Sequence, residues 1–132
     1  MPALTETPGT IEPERDYVVV VTRLTVRNPI TALAFLRTVP AVRRQLRAAD
    51  GVIHHGLLAS LLRLQFSTFA VFESRRHLTA FVGAGAHRDV MRRLRGRFRL
   101  VEARTGVRRG DRIPRDWPAI HSLLTESDPV AV

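Results

Sequence analysis

An α+β fold, a four-stranded antiparallel sheet built in the order β-α-β-β-α-β, is what this 132-residue sequence predicts. Three observations carry the prediction. Tyr17–Val26 (YVVVVTRLTV) and Leu64–Glu73 (LQFSTFAVFE) are β-branched and aromatic runs of the kind that suit strands. Asn28-Pro29 follows the first run and Ser74 the second, and each supplies a helix-start signal. Val52–Leu62 (VIHHGLLASLL) and Arg97–Thr105 (RFRLVEART) are further strand-like runs beyond each helical stretch.

Taken in order, residues 1–16 are polar and rich in Pro, Thr and Glu, which predicts a flexible leader. The Val18–Val21 run does not alternate with polar residues, so its strand calls for apolar cover on both faces. Phe35, Val39, Val42 and Leu46 then form a helical stripe, with Arg37, Arg43, Arg44 and Arg47 elsewhere on the cylinder. Pro40 lies inside this pattern and is expected to kink the helix or split it in two. Asp50-Gly51 closes the segment. In Val52–Leu62 the adjacent His54 and His55 must point to opposite faces. A tight hairpin around residues 60–63 leads into the second aromatic strand.

Beyond the Ser74 cap, Leu78, Phe81 and Val82 share one helix face, and Gly83-Ala84-Gly85 ends or kinks that helix. His87, Val90, Met91 and Leu94 follow at the spacing of a buried stripe, with Arg88, Arg92 and Arg95 on the opposite side. Gly96 is a helix terminator, Arg97–Thr105 the last strand, and Gly106–Asp111 a basic loop. Ile113–Leu124 reads as an extended segment and a short helix capped by Asp116 and anchored by Trp117, Ile120, Leu123 and Leu124; the last residues are expected to fray. The organisation is a leader (1–16), a ferredoxin-like domain (17–105), and a basic loop, short helix and tail packing on it (106–132). With both helical segments on one face, the other is left bare, and an identical chain is its cheapest cover. A homodimer is the expectation.

Composition narrows the chemistry. There is no cysteine, which excludes disulfides, thiolate metal sites and thiol nucleophiles. Nothing reaches transmembrane length and no signal-peptide core is present, so no membrane insertion and a cytoplasmic setting are expected. The formal charge is +9, and all 21 basic residues are arginine. Eleven of them lie between Arg88 and Arg115, against Asp89, Glu102 and Asp111. A solvated face explains such a cluster, and no helix-turn-helix, zinc finger or stacking-aromatic motif joins it, so nucleic-acid binding is not predicted. Dinucleotide, P-loop, GxSxG and HExxH motifs are all missing.

The string FSTFAVFESRRHLTAFVGAGAHRDVMRRL, with the opening YVVVVTRL and the closing Trp117-Pro118, resembles the dimeric α+β-barrel superfamily. Within it the chain looks like the antibiotic-biosynthesis-monooxygenase-type and spheroidene-monooxygenase-like proteins, over about residues 17–124. The resemblance implies a homodimer with a pocket in each subunit between sheet and helices. It also implies an apolar aromatic or polyene ligand of the secondary-metabolite type, oxidised without a cofactor or with haem. A polyketide cyclase and a non-catalytic binding or accessory dimer remain alternatives. The haem-degrading branch of the superfamily places Asn, Trp and a haem-ligating His where this chain has Thr22, Phe81 and Met91, so that mechanism is not implied.

His87 is the candidate base, because an imidazole on an apolar stripe can take a proton near neutrality. Arg23 is the candidate anion holder, with an ion pair to Glu73 or Glu102 as its structural alternative, and Thr22 occupies the position of the family's functional Asn. His54 and His55 divide between a subunit pocket and the dimer barrel. Phe66, Phe72, Phe81, Met91 and Trp117 complete the expected substrate-binding set, each with packing as its simpler explanation. No metal site is predicted beyond haem iron, for which His54, His55 or His87 would be the ligand.

Overall fold

The structure, a computed structural model, describes residues 3–125. Five strands, β1 (Ala3–Glu6), β2 (Asp16–Val26), β3 (Val52–Ser60), β4 (Gln65–Phe72) and β5 (Phe98–Arg109), form one sheet in the order β1-β3-β4-β2-β5. Every neighbouring pair is antiparallel. Helix α1 (Pro29–Ala48) joins β2 to β3, α2 (Arg75–Val82) and α3 (Gly85–Arg93) join β4 to β5, and α4 (Trp117–Ser122) follows β5. Strands β2 to β5 with α1, α2 and α3 are thus the expected ferredoxin-like α+β unit, and β1 is an extra edge strand.

The local signals act as their chemistry dictates. The Asn28 side chain accepts from the Thr31 N–H at 2.8 Å, with Pro29 in the first turn where its missing donor costs nothing. Ser74 caps α2, and Asp116 caps α4 by accepting from Ala119 N–H. Pro40 falls inside α1 without dividing it, so one helix stands where two pieces were possible. The β3–β4 turn holds Leu64 at φ 55°, a left-handed backbone that ordinarily favours glycine, so the turn is not marked in the sequence by its usual residue.

Two expectations for the chain ends are corrected. Ala3–Glu6, part of the supposed flexible leader, pairs with β3. The rest of the leader is tied down by Gly9 N–H to Ile53 C=O (3.1 Å) and by Glu12 N–H to the Tyr17 hydroxyl oxygen (2.8 Å). The supposed basic loop from Gly106 is a continuation of β5 as far as Arg109, paired with the start of β2. Beyond Arg109 a short 3-10 turn begins at Gly110, a position that must be glycine because the Glu12 carbonyl lies where a Cβ would stand. The expected frayed C-terminus beyond Thr125, like Met1 and Pro2, lies outside the described residues.

Because β2 is apolar on both faces, the sheet has two cores. Behind it, Val18, Val20, Leu24, Phe66 and Phe72 pack with α1, α2 and α3. In front, Tyr17, Val19, Val21, Phe69 and Val71 pack against Ile113, Ile120, Leu123 and Leu124 from the C-terminal segment. The front face was expected to be bare and to need a twin. It is covered by the chain's own α4 and the turn that follows it.

Candidate active site

A cavity of about 340 Å³ lies between the sheet and the helices. That is the lower part of the size range for small-molecule sites. Its lining runs from Leu4 on one edge strand to Val101 and Ala103 on the other, so it crosses the width of the sheet. Val20, Val39, Val42, Phe72, Leu78 and Phe81 make most of the wall apolar. Thr22, Thr38, Thr68, Arg43, His55 and His87 supply the polar groups. Val82, Met91 and Val101 line it too and are more than one-third exposed, which marks the mouth beside the α2–α3 break and β5.

His87 sits in the first turn of α3, and that turn is held from another helix. The N-cap residue Ala84 has no side chain able to accept, and Gln45 of α1 takes over that task. Its Oε1 accepts from the His87 N–H at 2.7 Å. Its amide nitrogen donates to Phe81 C=O at 3.0 Å and Ala84 C=O at 2.8 Å. The imidazole is thereby fixed against the Phe81 ring, with centroids 5.2 Å apart. Its Nδ1 is buried without a hydrogen-bond partner. Burial lowers the His87 pKa from the usual 6.5, offset in part by the nearby Val82 backbone. The neutral, proton-accepting form therefore prevails at neutral pH.

A second polar group comes from elements that the sequence kept apart. Glu6 of β1 receives Arg43 Nη2 at 2.5 Å and Arg47 Nε at 2.9 Å, both from α1. Its other side faces His55 of β3, with Nε2 3.6 Å from Glu6 Oε1, too long for a hydrogen bond. His55 is 4% exposed, and its Nε2 is unpartnered, as is Arg43 Nε. The hydrogen bond from Arg47 pulls the Glu6 carboxyl down to about 2. Desolvation lowers the His55 pKa, and Glu6 raises it in part.

Of the predicted site residues, the fold brings Thr22, His55, His87, Phe72, Phe81 and Met91 to the cavity. Four belong elsewhere. Arg23 lies on the front face in a two-point ion pair with Glu102 (2.8 and 2.9 Å), the pairing named as its structural alternative, and so cannot hold a ligand anion in the cavity. His54 also faces front, with Nδ1 2.8 Å from the Thr7 hydroxyl and its ring edge-on to Phe69. Phe66 is fully buried and stacked on Phe35 at 4.4 Å, a packing residue. Trp117 belongs to the front core and approaches His121. Sequence reasoning passed over Glu6, Arg43 and Gln45. Arg43 is four residues after Val39 of the stripe, and that spacing is the one local sign that it reaches the cavity.

Among solved structures, the chain resembles a proposed monooxygenase from Fusobacterium nucleatum at TM-score 0.64 and 11% identity, covering 75% of this chain and 45% of that one. A proposed antibiotic biosynthesis monooxygenase from Nitrosomonas europaea matches at TM-score 0.59 and 12% identity over 69% of this chain and 95% of that one. A mutant form of SnoaB, a cofactor-independent oxygenase from Streptomyces nogalater, matches at 0.50 and 18%, over 76% and 95%. The chain shares its ferredoxin-like α+β fold with these solved structures. This chain spans about half the length of some of these relatives by structure, 45% of the Fusobacterium protein and 54% of a Lactobacillus acidophilus one. No protein-family model matches the sequence, and no curated protein does. Among the described residues there is no group of three or more His, Asp or Glu suited to a metal ion. Nor is any helix among them long and apolar enough to cross a membrane.

Proposed function

We propose that the protein is a monooxygenase-like enzyme that oxidises an apolar, mildly acidic aromatic or polyene substrate in the cavity between sheet and helices, without a cofactor. One observation carries the reading. His87 Nδ1 is a buried, unpartnered nitrogen on a residue that lines a mostly apolar cavity. A proton acceptor kept neutral in such a place is suited to ionise a weakly acidic C–H or O–H. The electron-rich carbanion or enolate then reduces oxygen. Where a ring CH2 becomes a carbonyl, one oxygen atom enters the product, the other leaves as water, and the substrate supplies all the electrons. Thr22, at the position of the family's functional Asn, lines the cavity and offers a hydroxyl to orient the substrate. The reading includes a homodimer, supported by Leu100 and Val101 on edge strand β5, each about half exposed.

The test is oxygen uptake with a panel of anthrones and dihydroxynaphthalenes. His87→Ala is expected to lower turnover by about 10²–10⁴-fold, the usual worth of a positioned acid–base group. Because burial depresses the His87 pKa, kcat/KM should stay flat below the ordinary imidazole value of 6.5 and fall only in more acidic buffer. Full activity in His87→Ala would overturn the assignment. A Soret band after haem addition, with oxygen uptake dependent on it, would replace the cofactor-free reading with a haem-dependent one. In that case His55 or His87, the histidines that line the cavity, would be the iron ligand to test.

A further inference from the structure

Glu6, Arg43 and His55 form a polar group apart from His87, and nothing in the proton-abstraction step above uses it. Their side chains come from β1, α1 and β3, so the arrangement exists only once the N-terminal strand has docked on the sheet edge. The lone carboxylate is shared by two guanidinium groups, Arg43 and Arg47, which leaves one positive charge in excess. Arg47 is half exposed, whereas Arg43 and His55 line the cavity. Glu6 engages Arg43 through Nη2 and leaves the Nε donor buried and unmatched. His55, nine-tenths buried, has Nε2 in the same state. Buried polar nitrogens left unmatched in this way are rare in native folds, and a ligand oxygen would satisfy both, His55 in its Nε2–H form.

Resting on the reading of the cavity as a substrate site, we infer that Arg43 Nε and His55 Nε2 receive an anionic oxygen, carboxylate or enolate, carried by an otherwise apolar substrate. Glu6 is the positioning residue. It aligns the Arg43 guanidinium and offers the His55 ring a negative neighbour, while two arginines keep it ionised. The excess charge selects an anion over a neutral group of the same shape. The substrate's polar end would thus be tied to α1 and β3 while His87 of α3 acts on its reacting centre.

Isothermal titration of the full chain with 2-naphthoate and with 2-naphthamide, a neutral ligand of the same shape, tests this. 2-Hydroxy-1,4-naphthoquinone, ionised at neutral pH, against 2-methyl-1,4-naphthoquinone does the same for an enolate and separates the two oxygen sources. Arg43→Met is expected to weaken binding of the anions by about ten- to a hundredfold, the worth of a hydrogen bond to a charged group. The neutral partners should change by less than about threefold, which also reports that the variant is folded. His55→Leu, which leaves Glu6 and both arginines in place, should shift the same pairs in the same direction. Equal losses for anions and neutral ligands would make Arg43 only a wall residue and overturn the inference. So would no loss at all. If none of the four probes binds the unaltered protein, it is the cavity reading itself that fails.

Discussion

The two faces of this sheet are built from alternate residues of the same strands, yet they are covered differently: one by a cavity-lining layer of helices, the other by a directly packed C-terminal segment. On β2, Tyr17, Val19 and Val21 point forward into a core closed by Ile113, Ile120, Leu123 and Leu124. Val18, Val20, Thr22 and Leu24 point backward, and Val20, Thr22 and Leu24 border the cavity under α1, α2 and α3. The difference lies in the covers. A short helix and a turn can settle directly onto strand side chains. The longer α1 is joined to the separate α2–α3 pair through Gln45, and the cavity lies between these helices and the sheet. The front face is closed by direct packing, and the back face leaves a cavity that the proposed reaction would use.

The largest expected effect follows on the front. Ile120 is 3% exposed at the centre of α4, and Ile120→Ala should cost about 2–4 kcal/mol, read as a drop in the thermal midpoint. Binding in the rear cavity should persist in the folded fraction. On the back, Ala70→Leu adds atoms toward existing space, so it should cost less than the about 1–3 kcal/mol of overpacking a filled core. Ligand binding and oxygen uptake should nevertheless be lost. If Ala70→Leu destabilised as much as Ile120→Ala, the back face would be as tightly filled as the front.

Acid should also weaken the fold, without regard to face. Burial lowers the pKa values of His55 and His87 behind the sheet and of His54 and His121 in front. As pH falls through the ordinary 6.5, the unfolded chain takes up protons before the folded one does. Stability should therefore be full above that value and decline below it until the folded-state pKa values are reached. Glu6 acts lower still: its contribution is complete above about 4.5 and disappears as pH approaches about 2. Thermal midpoints between pH 8 and pH 5 measure the histidine part, and a flat profile there would mean that these imidazoles titrate normally.

The order of elements was legible because it depends on local signals. Asn28-Pro29, Ser74, Gly83-Ala84-Gly85 and the unbroken Val18–Val21 run each fix a start, a break or a buried strand from their own chemistry. Ala3–Glu6 was not legible, because four residues without an aromatic or β-branched pattern become a strand only through β3 and the two arginines that hold Glu6. The site was half legible for the same reason. Helical spacing placed His87 and Met91 on the cavity side, and strand alternation separated His54 from His55. Alternation could not say which histidine faced the cavity, nor that Arg43 and not Arg23 would do so. Those outcomes depend on register and on which element covers which face.

Arg23 gives the smallest expected effect and the sharpest division between the faces. It neighbours Thr22 in sequence and was the expected anion holder, with an ion pair to Glu73 or Glu102 as the alternative. Strand geometry sends the two side chains in opposite directions, and Arg23 meets Glu102 across β2 and β5 with both side chains about 30% exposed. A partly solvated pair of this kind is worth about 0–1 kcal/mol. Arg23→Gln should therefore shift the thermal midpoint only slightly and leave oxygen uptake and anion binding unchanged, whereas Arg43→Met affects anion binding. A loss of turnover in Arg23→Gln at unchanged stability would mean that the front of the sheet takes part in the chemistry, through a partner subunit or a rearranged α4, and the separation of the two faces into support and site would no longer hold.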